Sequence, residues 1–342
     1  MRRSLLALIL VVALAVMTWA NFRFSGTAHA APLTTSLSPV VTNSYYVDSN
    51  WYANTNPDSY ASKLGASDAL GENQTLVNKG IHCTKGEYLI YTILDFGSPR
   101  DGNIYNWAGA TIDYGGGPNQ VWTIVEDYAN SWYANSYNCF TLNLLIGVNN
   151  SSICGSNDTM ASCDQAAGFD LATAVEEVNY DLATAGEGWQ ITSKGAIDAE
   201  GWYDPPYDYF GSYGSASNFA DGFDNYDVKN GVAWNLYDFG DAQSNCYEYT
   251  KDWCEGPGVY GNVYQLAWGI GYDEPFPEAY SSTHNGWWAQ VSSYSNKGNQ
   301  GRIQYYVVML SSSGDTSDWQ NFINQNAGYI PYSLFDGSVQ YW

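Results

Sequence analysis

Segments with strand and helix patterns alternate along the chain from about residue 87, and this alternation constrains the fold more than any other feature of the sequence. EYLIYTILDF and FTLNLLIGVNN are apolar and β-branched, which is typical of strands. QVWTIVEDYANSWY and GFDLATAVEEVNYDLAT have apolar residues at helical spacing, so each predicts a helix. Strands that alternate with helices of this length indicate βαβ units and a parallel sheet.

The same pattern continues to the end of the chain. We predict strands at QITSKGAIDAE, GVAWNLYDF, NVYQLAWGI and GRIQYYVVML, a short one at FPEAY, and helices at NGWWAQVSSY and DTSDWQNFINQN. Residues 200–230 carry few helical signals, so we expect a long loop there. Seven or eight parallel strands favour an α/β fold with an irregular (β/α) TIM-like barrel, and a two-layer open sheet is the alternative.

The first residues have the features of an export signal. MRR is followed by the apolar run LLALILVVALAVM and by an A-x-A cleavage motif at Ala28–Ala30, so residues 1–30 are predicted to be a signal peptide. Residues 31–80 lack a sustained period and predict a poorly structured N-terminal extension, which leaves 81–342 for the barrel domain. We therefore expect a secreted, extracellular protein with no membrane contact after cleavage.

Charge and cysteine content agree with this location. The formal net charge is −23, which repels nucleic acid and anionic membranes. An even number of cysteines in an exported chain predicts disulfides. Short spacings suggest two of the pairs, Cys154–Cys163 and Cys246–Cys254, and leave Cys83 with Cys139, although other connectivities stay open. The oligomeric state is not predicted.

Carboxylates recur where the predicted strands stop. They are Asp95 in ILDFGSP, Asp198 and Glu200 in AIDAEGW, and Asp238 in LYDFGDA, with Asp273 and Glu274 in GIGYDEP. The carboxyl ends of barrel strands open on one face, so we expect these groups to converge there. For any single Asp, capping of the following helix is an alternative role.

Asp198 and Glu200 are two apart, so on a strand they point to the same face. Two neighbouring carboxylates cannot both ionise easily, which raises one pKa and favours a proton donor. Glycoside hydrolysis needs such an acid and a second carboxylate as nucleophile or base. We predict Glu200 as the acid and Asp198 as the group that orients it. Asp95 and Asp238 both remain candidates for the second carboxylate.

The aromatic content suits carbohydrate binding. Tyr and Trp number 30 and 14, and their flat faces stack on sugar rings. Trp202, Tyr203, Trp234 and Trp268 are the predicted substrate-binding residues. No metal-ligand spacing, nucleophile motif or dinucleotide fingerprint is present, so no metal or cofactor is predicted, and the GGG at 115–117 is interpreted as a turn.

The order of LDFGSP, LLIGVNNSS, GAIDAEGW, VYQLAWG, PFPEAY and NGWWAQV resembles a group of secreted, largely uncharacterised bacterial proteins with a glycoside-hydrolase-like (β/α) barrel. The resemblance covers about residues 89–312 and implies a barrel with an extracellular role. The D-x-E at a strand end is also similar to chitinase-like and lysozyme-like barrels. Ser193 and Ala196 replace two acids of the fuller chitinase pattern, D-x-x-D-x-D-x-E.

Three functions are compatible with these features. The first is hydrolysis of an extracellular or cell-wall polysaccharide, which export, aromatic richness and strand-end carboxylates favour. The second is a non-catalytic barrel that binds carbohydrate or a cell surface. The third is a structural surface protein, which the strong acidity and the scarcity of Lys and Arg favour.

Overall fold

The computed structural model of the chain describes residues 38–48, 51, 56–100, 102–106, 109–151, 153, 161–201, 203–204, 209–242, 251–297, 301–309 and 316–330. The predicted signal peptide lies outside this part of the chain. Within it, no helix is both long enough and apolar enough to cross a membrane.

The strands, in chain order, are β1 (Ser38–Tyr46), β2 (Tyr88–Asp95), β3 (Ser98–Arg100), β4 (Asn103–Tyr105), β5 (Thr111–Asp113), β6 (Phe140–Asn149), β7 (Ile191–Asp198), β8 (Tyr203–Asp204), β9 (Tyr209–Phe210), β10 (Leu236–Asp238) and β11 (Glu274–Pro275). Six of them form one sheet in the order β1-β2-β6-β7-β10-β11, and all its pairs are parallel. Strands β3, β4 and β5 form a small antiparallel sheet after β2.

The α-helices of the described residues are α1 (Pro57–Lys79), α2 (Val121–Asn135), α3 (Ala161–Ala185), α4 (Tyr213–Asn230), α5 (Val259–Tyr264), α6 (Ser282–Ser295) and α7 (Thr316–Asn326). A π-helical turn, Gln265–Gly269, continues α5, and 3₁₀ turns occupy Lys251–Cys254 and Ala327–Tyr329. The predicted α/β class with a parallel sheet is therefore confirmed.

The parallel sheet is strongly curved. Tyr91 on β2 and Tyr237 on β10 are three strand positions apart, which in a flat sheet separates them by ~14 Å, yet their ring centroids are 5.8 Å apart. Tyr91 also contacts Phe276, with ring centroids 5.6 Å apart. The concave face thus encloses an apolar cluster of its own, and the convex face carries the larger core beneath the helices.

The segment 303–309 extends this arrangement beyond β11. The amide of Ala279 donates to the carbonyl of Met309 at 2.7 Å, and the amide of Met309 donates to the carbonyl of Pro277 at 2.8 Å. Val307 and Met309 belong to the cluster inside the concave face. No pairing among the described residues closes the sheet into a ring. The predicted strand GRIQYYVVML is therefore an extended segment joined by one bridge, not a full strand.

The prediction of a poorly structured extension at 31–80 was wrong for its described part. That part contributes the edge strand β1 and the 23-residue helix α1. The Asn56 side chain accepts from the amide of Asp58 to begin the helix, and Gly80, with φ 63°, ends it. The buried face of α1 contains small and acidic residues such as Gly65 and Asp68, so the sequence has no apolar stripe to detect.

The prediction of a loop at 200–230 was also wrong, because α4 occupies 18 residues of that range, from Tyr213 to its end. Ser212 caps its amino end by accepting from the amide of Ser215 at 3.0 Å. Helices α3 and α4 pack at glycines, and a Cβ on Gly168 would lie 1.9 Å from the carbonyl oxygen of Phe219. Small residues that resemble a loop in the sequence are here the contact surface of two close helices.

The predicted strand NVYQLAWGI is helical. Its residues form the end of α5 and the π-helical turn, with Val263, Leu266 and Ala267 buried at helical spacing. A short apolar run does not distinguish a buried strand from a buried helix by periodicity alone.

The predicted pairing of Cys83 with Cys139 is confirmed, with their Cα atoms 5.6 Å apart. Cys163 and Cys254 each take part in a disulfide. Cys154 and Cys246, their predicted partners, lie outside the described residues, and these two pairings stay predictions.

Candidate functional site

The carboxyl ends of the parallel strands bring four predicted carboxylates to one edge of the sheet. Asp95 ends β2, Asp198 ends β7 and Asp238 ends β10. In the register of the sheet, Asn149 lies opposite Asp198, and Asp238 lies opposite the residue before Asp198. Glu200 follows two residues after β7, so it lies in the loop rather than on the strand.

Asp198 lies within electrostatic reach of the whole group. Burial raises its pKa well above the usual value, and Glu200, Glu278, Asp95 and Asp238 raise it further, in that order. Several carboxylates therefore share one low-dielectric space, and full ionisation of all of them is unfavourable. Within the described residues, no group of three or more potential ligands has the arrangement of a metal site.

Glu200 is held in place by its own backbone and by the loop after β10. The Asn150 side chain accepts from the amide of Glu200 at 3.2 Å and donates to its carbonyl at 3.0 Å. The amide of Asp241 donates to Oε1 of Glu200 at 3.0 Å. Burial, followed by the charge of Asp241, raises the pKa of Glu200 to about 7, although the hydrogen bond from the Asp241 amide opposes the shift.

Asp95 and Asp238 have a different environment from Glu200. Both are almost fully buried. Oδ1 of Asp95 accepts from the amide of Gly97 at 2.9 Å, and Oδ1 of Asp238 accepts from the amide of Gly240 at 3.2 Å. Each side chain thus stabilises the turn that ends its strand. Burial is the main reason that the pKa of Asp238 rises to about 8.

Glu278 is a member of the group that the sequence analysis missed. It lies in the bridge to Met309, and the hydroxyl of Tyr280 donates to its Oε1 at 2.6 Å. Burial and then the charge of Glu200 raise the pKa of Glu278 to about 9, against the hydrogen bond from Tyr280. Because FPEAY was predicted as a short strand, its glutamate could have been counted with the other strand-end carboxylates.

The other two carboxylates noted at a strand end lie outside this group. Glu274 lies opposite Tyr237 in the sheet, one residue before the strand-end level of Asp238, and its Oε1 accepts from the side chain of Asn235 at 2.8 Å. Asp273 is buried directly before β11, and burial and then Asp224 of α4 raise its pKa.

Two of the predicted substrate-binding aromatics lie away from the strand-end carboxylates. Trp234 lies before β10, at the opposite edge of the sheet, with its amide donating to Asp227. Trp268 is buried in the core beneath the helices. Both predictions were wrong because a tryptophan near a strand in sequence can lie at either end or in the core. Trp202 and the side chain of Tyr203 lie outside the described residues.

Other aromatic side chains surround the carboxylates. Tyr46 ends β1 and is 55% exposed, and burial of its hydroxyl and then Asp95 and Asp198 raise its pKa. The ring of His284 stacks on Trp287 with centroids 4.9 Å apart, and its Nδ1 lies 3.7 Å from Oδ2 of Asp241. Short-range sequence patterns do not place Tyr46, His284 and Trp287 near the carboxylates, because these residues belong to β1 and α6, which are distant in sequence from the strand ends.

Comparison with known proteins gives little beyond this geometry. No family model matches the chain, and no curated protein matches it. A solved structure from work on two plant β-glucan endohydrolases with distinct substrate specificities aligns with 74% of this chain and 86% of that chain. The sequence identity is 14% and the TM-score is 0.28, a similarity too low to argue from.

Proposed function

We propose that the protein is a secreted glycoside hydrolase that cleaves an extracellular or cell-wall polysaccharide by carboxylate acid/base catalysis. The supporting observation is the group of carboxylates at the strand ends, in which the pKa of Glu200 is raised to about 7 and that of Glu278 to about 9. Hydrolysis of a glycosidic bond needs one carboxyl group that is protonated at working pH and another that is ionised. A cluster that shares protons supplies both.

Glu200 is the proposed proton donor. It is only partly buried, so a substrate oxygen can approach it, and the amide of Asp241 fixes its carboxyl group. A pKa of about 7 suits a general acid at neutral pH, because a large fraction of the carboxyl groups is still protonated and the proton is still transferred readily to the substrate. Asp198, also partly buried, ends the strand two residues before it, and burial and then the charge of Glu200 raise the pKa of Asp198.

Glu278 replaces Asp95 and Asp238 as the proposed second carboxylate. Asp95 and Asp238 accept hydrogen bonds from the turns that follow their strands, which fits a structural role. Glu278 lies in the bridge to Met309, and the hydrogen bond described for its carboxyl group comes from a side chain, the hydroxyl of Tyr280, rather than from a turn amide. The pKa of Glu278 lies above that of Glu200, so Glu278 attacks the anomeric carbon or takes a proton from water in the microstate in which the shared proton lies on Glu200.

The curvature of the sheet supports a barrel as the frame of this site. Rings from β2 and β10 meet inside the concave face, and segment 303–309 adds a further parallel neighbour beyond β11. We propose that this curved sheet belongs to an irregular (β/α) barrel. Export through the predicted signal peptide and the disulfide between Cys83 and Cys139 fit an extracellular location.

The test is the release of reducing ends from a polysaccharide panel that includes chitin and peptidoglycan. The chain without residues 1–30 is compared with Glu200→Gln, and with Glu255→Gln as a control that removes an exposed carboxylate elsewhere. We expect release by the parent and the control, and a loss of about 10²-fold or more in Glu200→Gln. Binding of one polymer without release by any form would instead support a non-catalytic carbohydrate-binding protein.

A further inference from the structure

His284 contacts the neighbours of both carboxylates of the proposed reaction. It lies in the first turn of α6, where the hydroxyl of Ser281 accepts from its amide at 3.3 Å. Its ring stacks on Trp287, about one turn further along the helix, with centroids 4.9 Å apart. The capped helix end and the indole together fix the position of the imidazole.

On one side, the imidazole contacts the residue that holds Glu200. Nδ1 of His284 lies 3.7 Å from Oδ2 of Asp241, which is longer than a hydrogen bond but within the distance of an ion pair. The amide of Asp241 donates to Oε1 of Glu200 at 3.0 Å. Burial and then the charge of Asp241 raise the pKa of Glu200. Asp241 therefore links the imidazole to the proposed proton donor by contact and by charge.

On the other side, the imidazole contacts the ring of Tyr280, with centroids 5.9 Å apart. The hydroxyl of Tyr280 donates to Oε1 of Glu278 at 2.6 Å. Burial raises the pKa of Glu278, and among the neighbouring charges Glu200 and then Asp241 raise it further. The charge of Asp241 thus acts on both proposed catalytic carboxylates, and a positive charge on the imidazole opposes it.

An imidazole gains and loses its proton between about pH 5 and pH 8, a range that includes the pKa of Glu200, about 7. Among the described residues, Asp241 after β10 and Tyr280 before α6 are the titratable groups in contact with the ring, and Glu200 and Glu278 lie behind them. Nδ1 of His284 has no hydrogen-bond partner among these residues, so an imidazolium can direct its Nδ1–H to Asp241. The two side chains are 24% and 11% exposed, so water screens the pair only in part.

We propose that His284 is a positioning residue of this site, whose imidazolium form pairs with Asp241 and offsets its negative charge at Glu200 and Glu278. The inference rests on the proposed function and adds a regulating group to it. When the imidazole is protonated, Glu200 releases its proton more readily, because the opposing charge of Asp241 is partly neutralised. His284 acts through Asp241 and needs no contact with the substrate.

The test is the titration of Glu200 itself, followed by carbon NMR of the chain without residues 1–30, labelled at the side-chain carboxyl carbon of glutamate. The signal of Glu200 is the one that is missing in Glu200→Gln. His284→Gln removes the cation and should move the titration of Glu200 up by about 0.5 pH unit. His284→Lys keeps a permanent cation beside Asp241 and should move it down by about the same amount. A change in packing alone would move both variants in the same direction.

Two controls assign the effect to the pair. In the Asp241→Asn background, His284→Gln should cause no further shift, because the charge that it offsets is gone. His82→Gln removes the other histidine outside residues 1–30, an exposed residue before β2, and should leave the titration of Glu200 as in the parent. Circular dichroism checks the folding of each variant. If one of the two His284 variants does not fold, the direction of the shift in the other decides.

The proposal is overturned if His284→Gln leaves the titration of Glu200 unchanged, if His284→Gln and His284→Lys shift it in the same direction, or if the shift persists in the Asp241→Asn background. None of these outcomes depends on hydrolysis, because the titration is measured without substrate. The predicted shifts without release of sugar from any polysaccharide would support the pairing and contradict the proposed function. With an active parent, the alkaline limb of the pH profile of kcat/KM should move in the same directions as the titration.

Discussion

Asp68 is a carboxylate buried between β1, α1 and α2, and its replacement by asparagine should change how stability depends on pH. The hydroxyls of Tyr45 and Tyr128 donate to it at 2.9 and 2.6 Å, and the residue is 9% exposed. The hydroxyl of Tyr128 also lies 3.3 Å from that of Thr92 on β2. The group therefore joins the edge strand and two helices through one titratable side chain.

Burial raises the pKa of Asp68 from 3.8 to about 6, although the hydrogen bonds from Tyr128 and Tyr45 oppose the shift. The folded state thus binds the proton more tightly than the unfolded state. The contribution of Asp68 to stability is complete below pH 3.8 and is lost as the pH rises to 6. Between pH 4.5 and pH 7.5 the loss is about 2 kcal/mol. Glu72, whose pKa burial and then Asp68 also raise, acts in the same direction.

The assay is urea unfolding at pH 4.5 and at pH 7.5, for the parent, Asp68→Asn and the control Glu255→Gln. We expect the unfolding free energy of the parent to fall with rising pH, and the fall to be about 2 kcal/mol smaller in Asp68→Asn. The control should behave as the parent does. An equal fall in the parent and in Asp68→Asn would refute the reasoning, because Asp68 would then titrate alike in both states.

Three further predictions follow from the packing and the charges. Asp241→Asn should lower the pKa of Glu200, because it removes a neighbouring negative charge, so the alkaline limb of the pH profile of kcat/KM should move to lower pH. Gly168→Ala should destabilise the chain by about 1–3 kcal/mol in thermal unfolding, because the added Cβ overlaps α4, whereas Gly71→Ala, which meets nothing within 4 Å in α1, should stabilise it by about 0.5–1 kcal/mol. Replacement of Cys83 and Cys139, which are 56 residues apart in sequence, should lower the free energy of unfolding by about 4 kcal/mol in denaturant unfolding. An unchanged free energy of unfolding would show that this disulfide does not stabilise the fold.

The parallel sheet and its carboxylate edge were predictable because each depends on local patterns. β2 and β6 are mostly apolar and are buried on both faces over most of their length, whereas β7 alternates buried and partly buried residues before its buried stretch at 195–197. The acids at their ends come directly after those runs, and parallel pairing alone brings them to one edge.

Features that depend on contacts between distant segments were not predictable. α1 uses small and acidic residues where helices touch, so its sequence lacks the apolar stripe of a common amphipathic helix. In α4, Phe219, Phe223 and Tyr226 are buried at helical spacing, but the glycines and aspartates among them resemble a loop. Glu278 is in a segment too short to show a hydrophobic period. Its raised pKa depends on burial and on the charge of Glu200, which is distant in sequence. Trp268 was assigned to the site because proximity to a predicted strand does not specify which layer a side chain enters.

The most direct test of the central claim is hydrolysis in water labelled with heavy oxygen, with mass spectrometry of the products from whichever polysaccharide the chain degrades. Hydrolysis at the strand-end carboxylates predicts one heavy oxygen at each new reducing end, and loss of that product in Glu200→Gln but not in Glu255→Gln. Products without the label, or labelled products that form at the parent rate in Glu200→Gln, would contradict the assignment of Glu200 as the acid of a glycoside hydrolase.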